Sequence, residues 1–520
     1  MSIIINDQAP NSKQYLMIKI QNSKQNIVII CGGPSAERGI SLNSARSLFD
    51  NLDKNKYNLS LLYVNPRLKF FEISTTEIYS NTPLDFDFRL GNDFAGKGRD
   101  PSLSGYPLRK FLKKADIVFP VIHGIFGEDG QLQTLLEKIG VAYVGSGPQA
   151  CQNTANKYLC QEILKKHGFY TLPNYIAEKG KLLPKLPHGK YVAKPLHGGS
   201  SIGVEHIQNV QELGAKLKKV FQFEKRVIIE PHCDGKEFTV IVLQNKKGEP
   251  VALIPTEIEL LEGHFFDYRK KYLATSQTRY HTPPRFSGPV IKQIQYQAEK
   301  AFSVLNMRDF GRLDGWILKD GTIWFSDINA ISGMEQNSFF FQQSAILGIN
   351  HSQLLDYLMT KKIDKKNRPS NVNKKREEIP VIFGGDTAER QVSIMSGTNV
   401  CIKLKSSSKY KPAPVFLGSN GKMHRIPQFL CLQHTAEEIE EKIKLFKNHV
   451  FLKNLRDFQR EILKKLDIDE KNLEEPLFEP RQISFKIIAS KYKFLFLGLH
   501  GGDGENGTFQ TLLDGLRLPY

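Results

Sequence analysis

A chain of 520 residues with 40% hydrophobic and 24% charged residues can bury several cores, and at ~100–200 residues per domain it divides into three or more. Its formal net charge of +18 comes from lysines spread along the whole length. No basic run is interleaved with aromatics, which excludes a nucleic-acid groove and leaves anionic small substrates such as nucleotides and carboxylates, or general basicity.

The six cysteines, at 31, 151, 160, 233, 401 and 431, form no CxxC pair and no metal-ligand spacing, so they read as reduced cytosolic thiols. No apolar run approaches the ~20 residues of a membrane span. The polar extension 1–25 lacks the charged start and apolar stretch of a signal peptide. A cytoplasmic protein without membrane partners is expected.

Asn26 to Cys31 is a continuous apolar run, the signature of a buried parallel strand. Gly32-Gly33-Pro34-Ser35-Ala36-Glu37-Arg38 follows and leads into a helix. Strand, glycine turn and helix make a ligand-facing turn of an α/β unit, although the spacing is not GxGxxG. A second strand, Leu59 to Val64, precedes a Pro/Gly/Asp-rich excursion to about Arg109 that reads as surface loops. The strand Asp116 to Ile122 ends in His123-Gly124-Ile125-Phe126-Gly127-Glu128-Asp129-Gly130. Its glycines let His123 and Glu128 approach a ligand, or the loop is structural. A helix from Gln131 to Gly140 and a strand from Val141 to Val144 follow.

From Gln149 the character changes. Asn156-Lys157 opens an amphipathic helix to Lys166. The strand Tyr191 to Pro195 carries Lys194 and runs into His197-Gly198-Gly199-Ser200-Ser201-Ile202-Gly203-Val204. N–H groups, hydroxyls and one point charge suit a phosphate cover; it is not a Walker A loop. Glu230 ends the strand Arg226 to Pro231, and Glu237 lies on the strand Lys236 to Val242. Both can meet a nucleotide's 6-amino group and ribose hydroxyls, or stand as surface acids. Phe265 to Tyr272 reads as a mobile flap or an exposed loop.

Gly311 to Ser338 carries the densest chemistry. Asp327 and Asn329, at i and i+2, leave the same face of a strand. The turn Lys319-Asp320-Gly321 makes a hairpin that brings Asp314 opposite them, with Arg312 alongside. Three hard oxygens with substrate phosphates suit Mg²⁺; two strands with solvated acids on an open face is the other reading.

In register, GGPSAER, HGIFGEDG, YVGSG, Lys157, VAKPLHGGSSIGV, IIEPHCDGKEFTV, FFDYRKKYL and GRLDGW…DINAISGM resemble the ATP-grasp superfamily and, within it, the D-alanine–D-alanine ligases. The resemblance runs from about Asn26 to Thr360. It implies an α/β and α+β multidomain fold: a Rossmann-like N-terminal domain over 26–147, then ATP-grasp halves over 148–255 and 256–360. It further implies that Lys157 and Lys194 meet the nucleotide phosphates under a loop with Ser200 and Ser201. Glu230 then matches the adenine segment, Glu237 the ribose contact, and Lys271 a flap lysine at the γ-phosphate. Asp314, Asp327 and Asn329 match the ligands of two Mg²⁺ ions, with Mn²⁺ as an alternative. Glu37 matches the partner of the first D-alanine's ammonium, with Ser200 and Tyr272 near it. Ser338, with His123 nearby, matches the site of the second D-alanine's carboxylate, and Arg312 and the Gly333 N–H match the oxyanion donors. The implied activity is ATP-dependent joining of two D-alanines through an acyl phosphate, for peptidoglycan and hence the cell wall; another ATP-grasp carboxylate–amine ligase, a D-alanine–D-lactate ligase and a non-catalytic paralogue are the alternatives.

Two departures stand out. Asp327 replaces the family's usual glutamate and is one methylene shorter. Asn329-Ala330-Ile331-Ser332-Gly333 lacks the usual threonine and proline. A slower enzyme or an altered metal preference is expected, since Mg²⁺ demands near-ideal geometry.

After a charged linker over 361–378, the chain begins again. Ile379 to Arg390 repeats the first strand and turn, with Glu389 in the place of Glu37; His500-Gly-Gly-Asp-Gly-Glu505 repeats the His123 loop. Between them Thr435 to Leu473 reads as one or two surface helices. Residues 379–520 are therefore a second Rossmann-like N-terminal domain. It reads as the start of a truncated tandem ligase, or as a pseudo-dimer partner for the first copy, the family's common homodimer contact supplied within one chain.

Overall fold

The computed structural model describes residues 24–91, 102–199, 202–260, 278–360, 362, 376–405, 407, 409–473 and 477–520. Ser200, Ser201, Lys271 and Tyr272 lie outside the described residues.

In the first sheet β1 (Gln25–Gly32) lies between β2 (Tyr57–Val64) and β4 (Ile117–Pro120), parallel to both, while β3 (Phe70–Ile73) runs antiparallel at the β2 edge. Alternate residues of β1 feed opposite cores. Ile27, Ile29 and Cys31 enter one cluster, and Val28 and Ile30 the other. Burial of both faces is why this strand is an unbroken apolar run.

The excursion after β2 is more ordered than the sequence reading. It holds β3 and the helices Thr75–Ser80, Pro83–Gly91 and Gly105–Leu112. Ser74 and Glu77 form a reciprocal capping box, and Thr82 and Asp85 exchange the same pair of bonds. Phe86 is fully buried and stacks on Tyr63 at 4.3 Å between centroids. Val141 to Val144 forms less than the expected strand, pairing through a single bridge from Tyr143 to Val118.

A four-stranded antiparallel sheet follows, ordered β5 (Tyr175–Glu178), β8 (Arg226–Pro231), β6 (Tyr191–Pro195), β7 (Glu205–Ile207). The next sheet is built on two long central strands, β9 (Gly235–Gln244) and β13 (Phe310–Leu318). β11 (Thr256–Leu260) and β12 (Thr278–His281) extend it on one side and β14 (Ile323–Asn329) on the other, and β10 (Pro250–Ala252) pairs with β9.

Residues 376–520 rebuild the first sheet. β15 (Glu377–Gly384) is parallel to β16 (Tyr410–Leu417) and β19 (Phe496–Leu497); β17 (Met423–Arg425) and β18 (Arg481–Ile483) add antiparallel edges. The turns match bond for bond. Gly32 N donates to Ser41 Oγ at 2.8 Å and Gly384 N to Ser393 Oγ at 2.9 Å. Ser35 Oγ donates to the His123 carbonyl at 2.6 Å and Thr387 Oγ1 to that of His500 at 2.8 Å. At Gly32 and Gly384, φ is 93° and 105°, and a Cβ would stand within 2.4 Å of the next strand's carbonyl at both, so only glycine fits.

The helices Ala436–Leu445 and His449–Lys465 are not merely surface helices. Ile439, Leu452, Leu455, Ile462 and Leu463 join one hydrophobic cluster with Ile241, Phe340 and Leu355 of the preceding domain and Ile29 of the first repeat. Each such side chain contributes on the order of 1.5–3 kcal/mol. Tyr357 donates to the Leu466 carbonyl at 3.1 Å, Gln459 to that of Leu347 at 2.8 Å, and Asn245 to that of Lys465 at 3.0 Å. The second repeat thus shares a core with the rest of the chain. No helix among the described residues is long and apolar enough to cross a membrane.

Candidate active site

The β13–β14 hairpin forms as its sequence dictates. Asp320 and Gly321 close the turn, with Gly321 at φ 85° and Leu318 N bonded to the Thr322 carbonyl at 2.8 Å. Asp314 then pairs with Asp327, and Arg312 with Asn329; a bulge follows at Asp314/Gly315. Arg312 grips Asp314 with Nε at 3.1 Å from Oδ1 and Nη2 at 3.0 Å from Oδ2. Thr239 Oγ1 donates to Asp314 Oδ1 at 2.7 Å, and Asn329 Nδ2 lies 3.3 Å from Oδ2. Among the described residues no group of three or more His, Cys, Asp or Glu is placed to hold a metal. The hairpin set is two acids and an amide, all hard oxygen donors, and suits Mg²⁺ or Mn²⁺ only with phosphate oxygens completing the shell.

Two lysines from other elements face this hairpin. Asn156 caps the helix Lys157–Lys166 by accepting from Leu159 N, which sets Lys157 at its first position. Lys157 Nζ lies 2.5 Å from the Gly198 carbonyl and 3.6 Å from Asp327 Oδ1. On β6, Lys194 Nζ stands 2.7 Å from Glu230 Oε2 on β8, with Glu230 buried and Lys194 mostly so. Burial opposes the lysine's charge, but Glu230 and Asp327 outweigh it and raise the ammonium above its ordinary value. Glu237 is half-buried on β9, opposite Trp316 of β13.

A second cluster joins Glu37, His123 and Glu335, with Arg312 acting on Glu335. Glu37, at the start of the helix Arg38–Asn51, is buried; a Cβ on Gly199 would stand 3.5 Å from its Oε1 and one on Gly124 3.0 Å from its Oε2. The first-repeat turn, the His123 loop and the glycine loop after β6 therefore meet at this carboxylate. His123 Nδ1 is 3.2 Å from Glu128 Oε1, and its buried Nε2 has no protein partner among the described residues. Burial pulls this imidazole down, but the bond to Glu128 and the charges of Glu335 and Glu37 raise it overall.

Glu335 is a residue the sequence reading missed. Burial pushes its carboxyl above the ordinary range, against the lowering influence of His123 and Arg312, and its Oε1 has no hydrogen-bond partner among the described residues. No spacing rule marks it. Its only sequence cue is its place two residues after Gly333, whose absent Cβ would meet Glu335 Oε2 at 2.6 Å. Ser338 Oγ is likewise buried and unpartnered among the described residues. The segment is anchored to the first repeat where Met334 N donates to Ser44 Oγ at 3.0 Å. Hydrogen bonds, ion pairs and electrostatic influences thus link Lys157, Lys194, Glu230, Arg312, Asp314, Asp327 and Asn329 in one group and Glu37, His123 and Glu335 in another, with Gly333 and Ser338 on the segment 330–338.

Residues 160–360 match the family model for the D-ala D-ala ligase C-terminus, and that for the D-ala D-ala ligase N-terminus matches twice, over 26–146 and 378–520. The D-alanine--D-alanine ligase of Methylacidiphilum infernorum is 32% identical over 335 residues, covering 64% of this chain and 94% of the relative. That of Lactococcus lactis subsp. cremoris is 29% identical over 346 residues, covering 65% and 95%. Among solved structures, the D-alanine-D-alanine ligase from Coxiella burnetii superposes with a TM-score of 0.53 at 26% identity, covering 66% of this chain and 96% of that one. The VanG D-Ala:D-Ser ligase from Enterococcus faecalis gives 0.55 at 26% identity, covering 66% and 100%. With both halves of the module matched in order and the first half matched again downstream, the chain belongs to the D-alanine–D-alanine ligase family.

Proposed function

We propose that the protein joins two D-alanines into D-alanyl-D-alanine with ATP cleaved to ADP and phosphate, a cytoplasmic step towards peptidoglycan that supports the cell wall and cell shape. The observation that supports this reading is a pair of charge clusters, one of lysines around Asp327 and one of Glu37, His123 and Glu335, with Arg312 acting on Glu335. Lys157 Nζ lies 3.6 Å from Asp327, Lys194 is held charged by Glu230 and Asp327, and Glu37, His123 and Glu335 act on one another electrostatically.

Glu37 accepts hydrogen bonds from the first D-alanine's ammonium, leaving its carboxylate towards the lysines. A carboxylate oxygen attacks the γ-phosphorus. An O–P bond forms, the bond to the β-phosphate oxygen breaks and ADP departs, giving an acyl phosphate. Lys157 and Lys194 hold the phosphates as point charges, under the loop bearing Ser200 and Ser201, while Glu230 and Glu237 line the base and ribose. Asp314, Asp327 and Asn329 would hold Mg²⁺, or Mn²⁺, which when bound neutralises charge on the transferred phosphoryl.

The second D-alanine, its carboxylate accepting from Ser338 Oγ, loses an ammonium proton and attacks the acyl carbon. The C–N bond forms, the C–O bond to phosphate breaks and inorganic phosphate leaves. Arg312 and the Gly333 N–H donate to the transient oxyanion. Lys271 at the γ-phosphate and Tyr272 near Glu37 complete the proposed set, closing the intermediate from water.

Phosphate release with ATP, Mg²⁺ and D-alanine tests this, with L-alanine, D-lactate and D-serine each offered as the second substrate. Turnover that needs D-alanine supports it. Turnover with another carboxylate–amine pair and none with D-alanine would mean a different ATP-grasp ligase.

A further inference from the structure

The second repeat reaches the substrate segment of the first ligase module. His434 follows the 3₁₀ turn Gln428–Leu432 and precedes the helix Ala436–Leu445. Its Nδ1 lies 3.1 Å from Asn337 Nδ2 and its Nε2 2.9 Å from Gln342 Nε2. A neutral imidazole donates from one ring nitrogen and accepts at the other, so it can bridge two side-chain amides once their orientations are matched. Burial holds His434 below its ordinary value, which keeps it neutral at physiological pH. Gln342 Nε2 also donates to the Asn337 carbonyl at 2.7 Å, so His434, Asn337 and Gln342 form one closed network.

The ring also packs on Tyr280, with centroids 4.9 Å apart, and Tyr280 meets Phe339 edge-on at 5.2 Å. Tyr280 is itself held by the second repeat: its N–H donates to Glu438 Oε1 at 3.2 Å and its carbonyl accepts from Lys442 Nζ at 3.2 Å. Glu438 Oε2 closes the loop by accepting from His434 N at 2.9 Å. The chain neighbours on both sides of Ser338 are therefore fixed by the second repeat: Asn337 through His434, and Phe339 through Tyr280.

We infer that His434 is a positioning residue for the ligase reaction, supplied by the second N-terminal-type domain to set the Ser338 hydroxyl against the acceptor substrate's carboxylate. The inference rests on the ligase reading for the identity of that substrate, while the contact itself is independent of it. On this account the second repeat works as a brace for the ligase module that precedes it.

The test uses the full-length protein and its His434→Ala and His434→Gln variants, with separate KM values for donor and acceptor D-alanine. H434A should raise the acceptor KM about tenfold, the effect of losing one well-aligned hydrogen bond, and leave the KM for ATP unchanged. H434Q retains a donor and an acceptor and should recover most of that loss. Amide hydrogen exchange read in parallel should quicken at residues 333–342 in H434A and stay unchanged in β15 and β16. An unchanged acceptor KM in folded H434A, or a fall in kcat alone, would overturn the inference. So would unchanged exchange at 333–342. If H434A does not fold, a wild-type acceptor KM together with wild-type exchange in Asn337→Ala would overturn it instead. A wild-type protein without turnover would contradict the ligase reading, and the exchange comparison would still decide the brace.

Discussion

Lys157 Nζ stands 3.6 Å from Asp327 Oδ1, so a helix-start lysine and a hairpin carboxylate from different elements share one electrostatic site. A second lysine, Lys194, has its charge reinforced by Glu230 and by that same Asp327. Asp327 thus sits where both cations act.

Removing the cation from the buried pair should cost stability as well as binding. Lys194→Met leaves Glu230 Oε2 without its partner at 2.7 Å, and an unpaired buried carboxylate costs about 3 kcal/mol or more. Denaturant unfolding should show that loss, and ATP titration should show weakened binding. An unchanged midpoint would mean that water replaces the ammonium at little cost.

Asp327 should be sensitive to both charge and length. Asp327→Asn is expected to lower kcat by about a hundredfold, in the range for losing a preorganised charge-stabilising group. Asp327→Glu adds the methylene that the family's usual ligand has. It should raise the Mg²⁺-supported rate relative to the Mn²⁺-supported rate, measured side by side.

Glu335 carries a pH signature. Its carboxyl is raised by burial, so the folded state binds its proton more tightly than the unfolded chain. The resulting contribution is fully present below the unfolded value, near 4.3, and is lost as pH rises through the folded value. At pH 7 the buried charge is then a net cost. Glu335→Gln should stabilise the protein there, with the gain vanishing in acid. A variant less stable than wild type at pH 7 would show that the charge is better compensated than its burial implies.

His351 should respond in acid. Its Nε2 lies 2.7 Å from the Gln336 carbonyl, its ring stacks on Phe341 at 3.9 Å, and burial pushes it down to about 3. A folded value below the unfolded ~6.5 means the stabilising neutral form is intact above about pH 6.5. Stability is lost as pH falls from there towards 3, at about 1.4 kcal/mol per pH unit. Thermal melts from pH 7 to 4 should fall less steeply for His351→Gln than for wild type.

The hairpin was legible because its chemistry is periodic: two-residue spacing puts Asp327 and Asn329 on one face, and an Asp-Gly turn fixes the register opposite Asp314. The turns after β1 and β15 were legible through their glycines. The helices after β3 hid in a stretch rich in turn residues, although Ser74–Glu77 and Thr82–Asp85 are capping signals within it. Glu335 was not legible, since burial in the fold raises its carboxyl and the charges that oppose this, His123 and Arg312, are distant in sequence. The helices of 436–465 showed an apolar face but not its partner. Periodicity reports that a face is buried, and only the packed structure shows Ile439 and Leu452 beside Ile241 and Leu355.

The most direct measurement of the central claim is the ratio of D-alanyl-D-alanine formed to ATP consumed by the full-length protein with Mg²⁺, resolved by chromatography. One dipeptide per ADP and phosphate is expected, and none from Lys194→Met. ATP consumed without dipeptide, or dipeptide formed equally well by Lys194→Met, would contradict it.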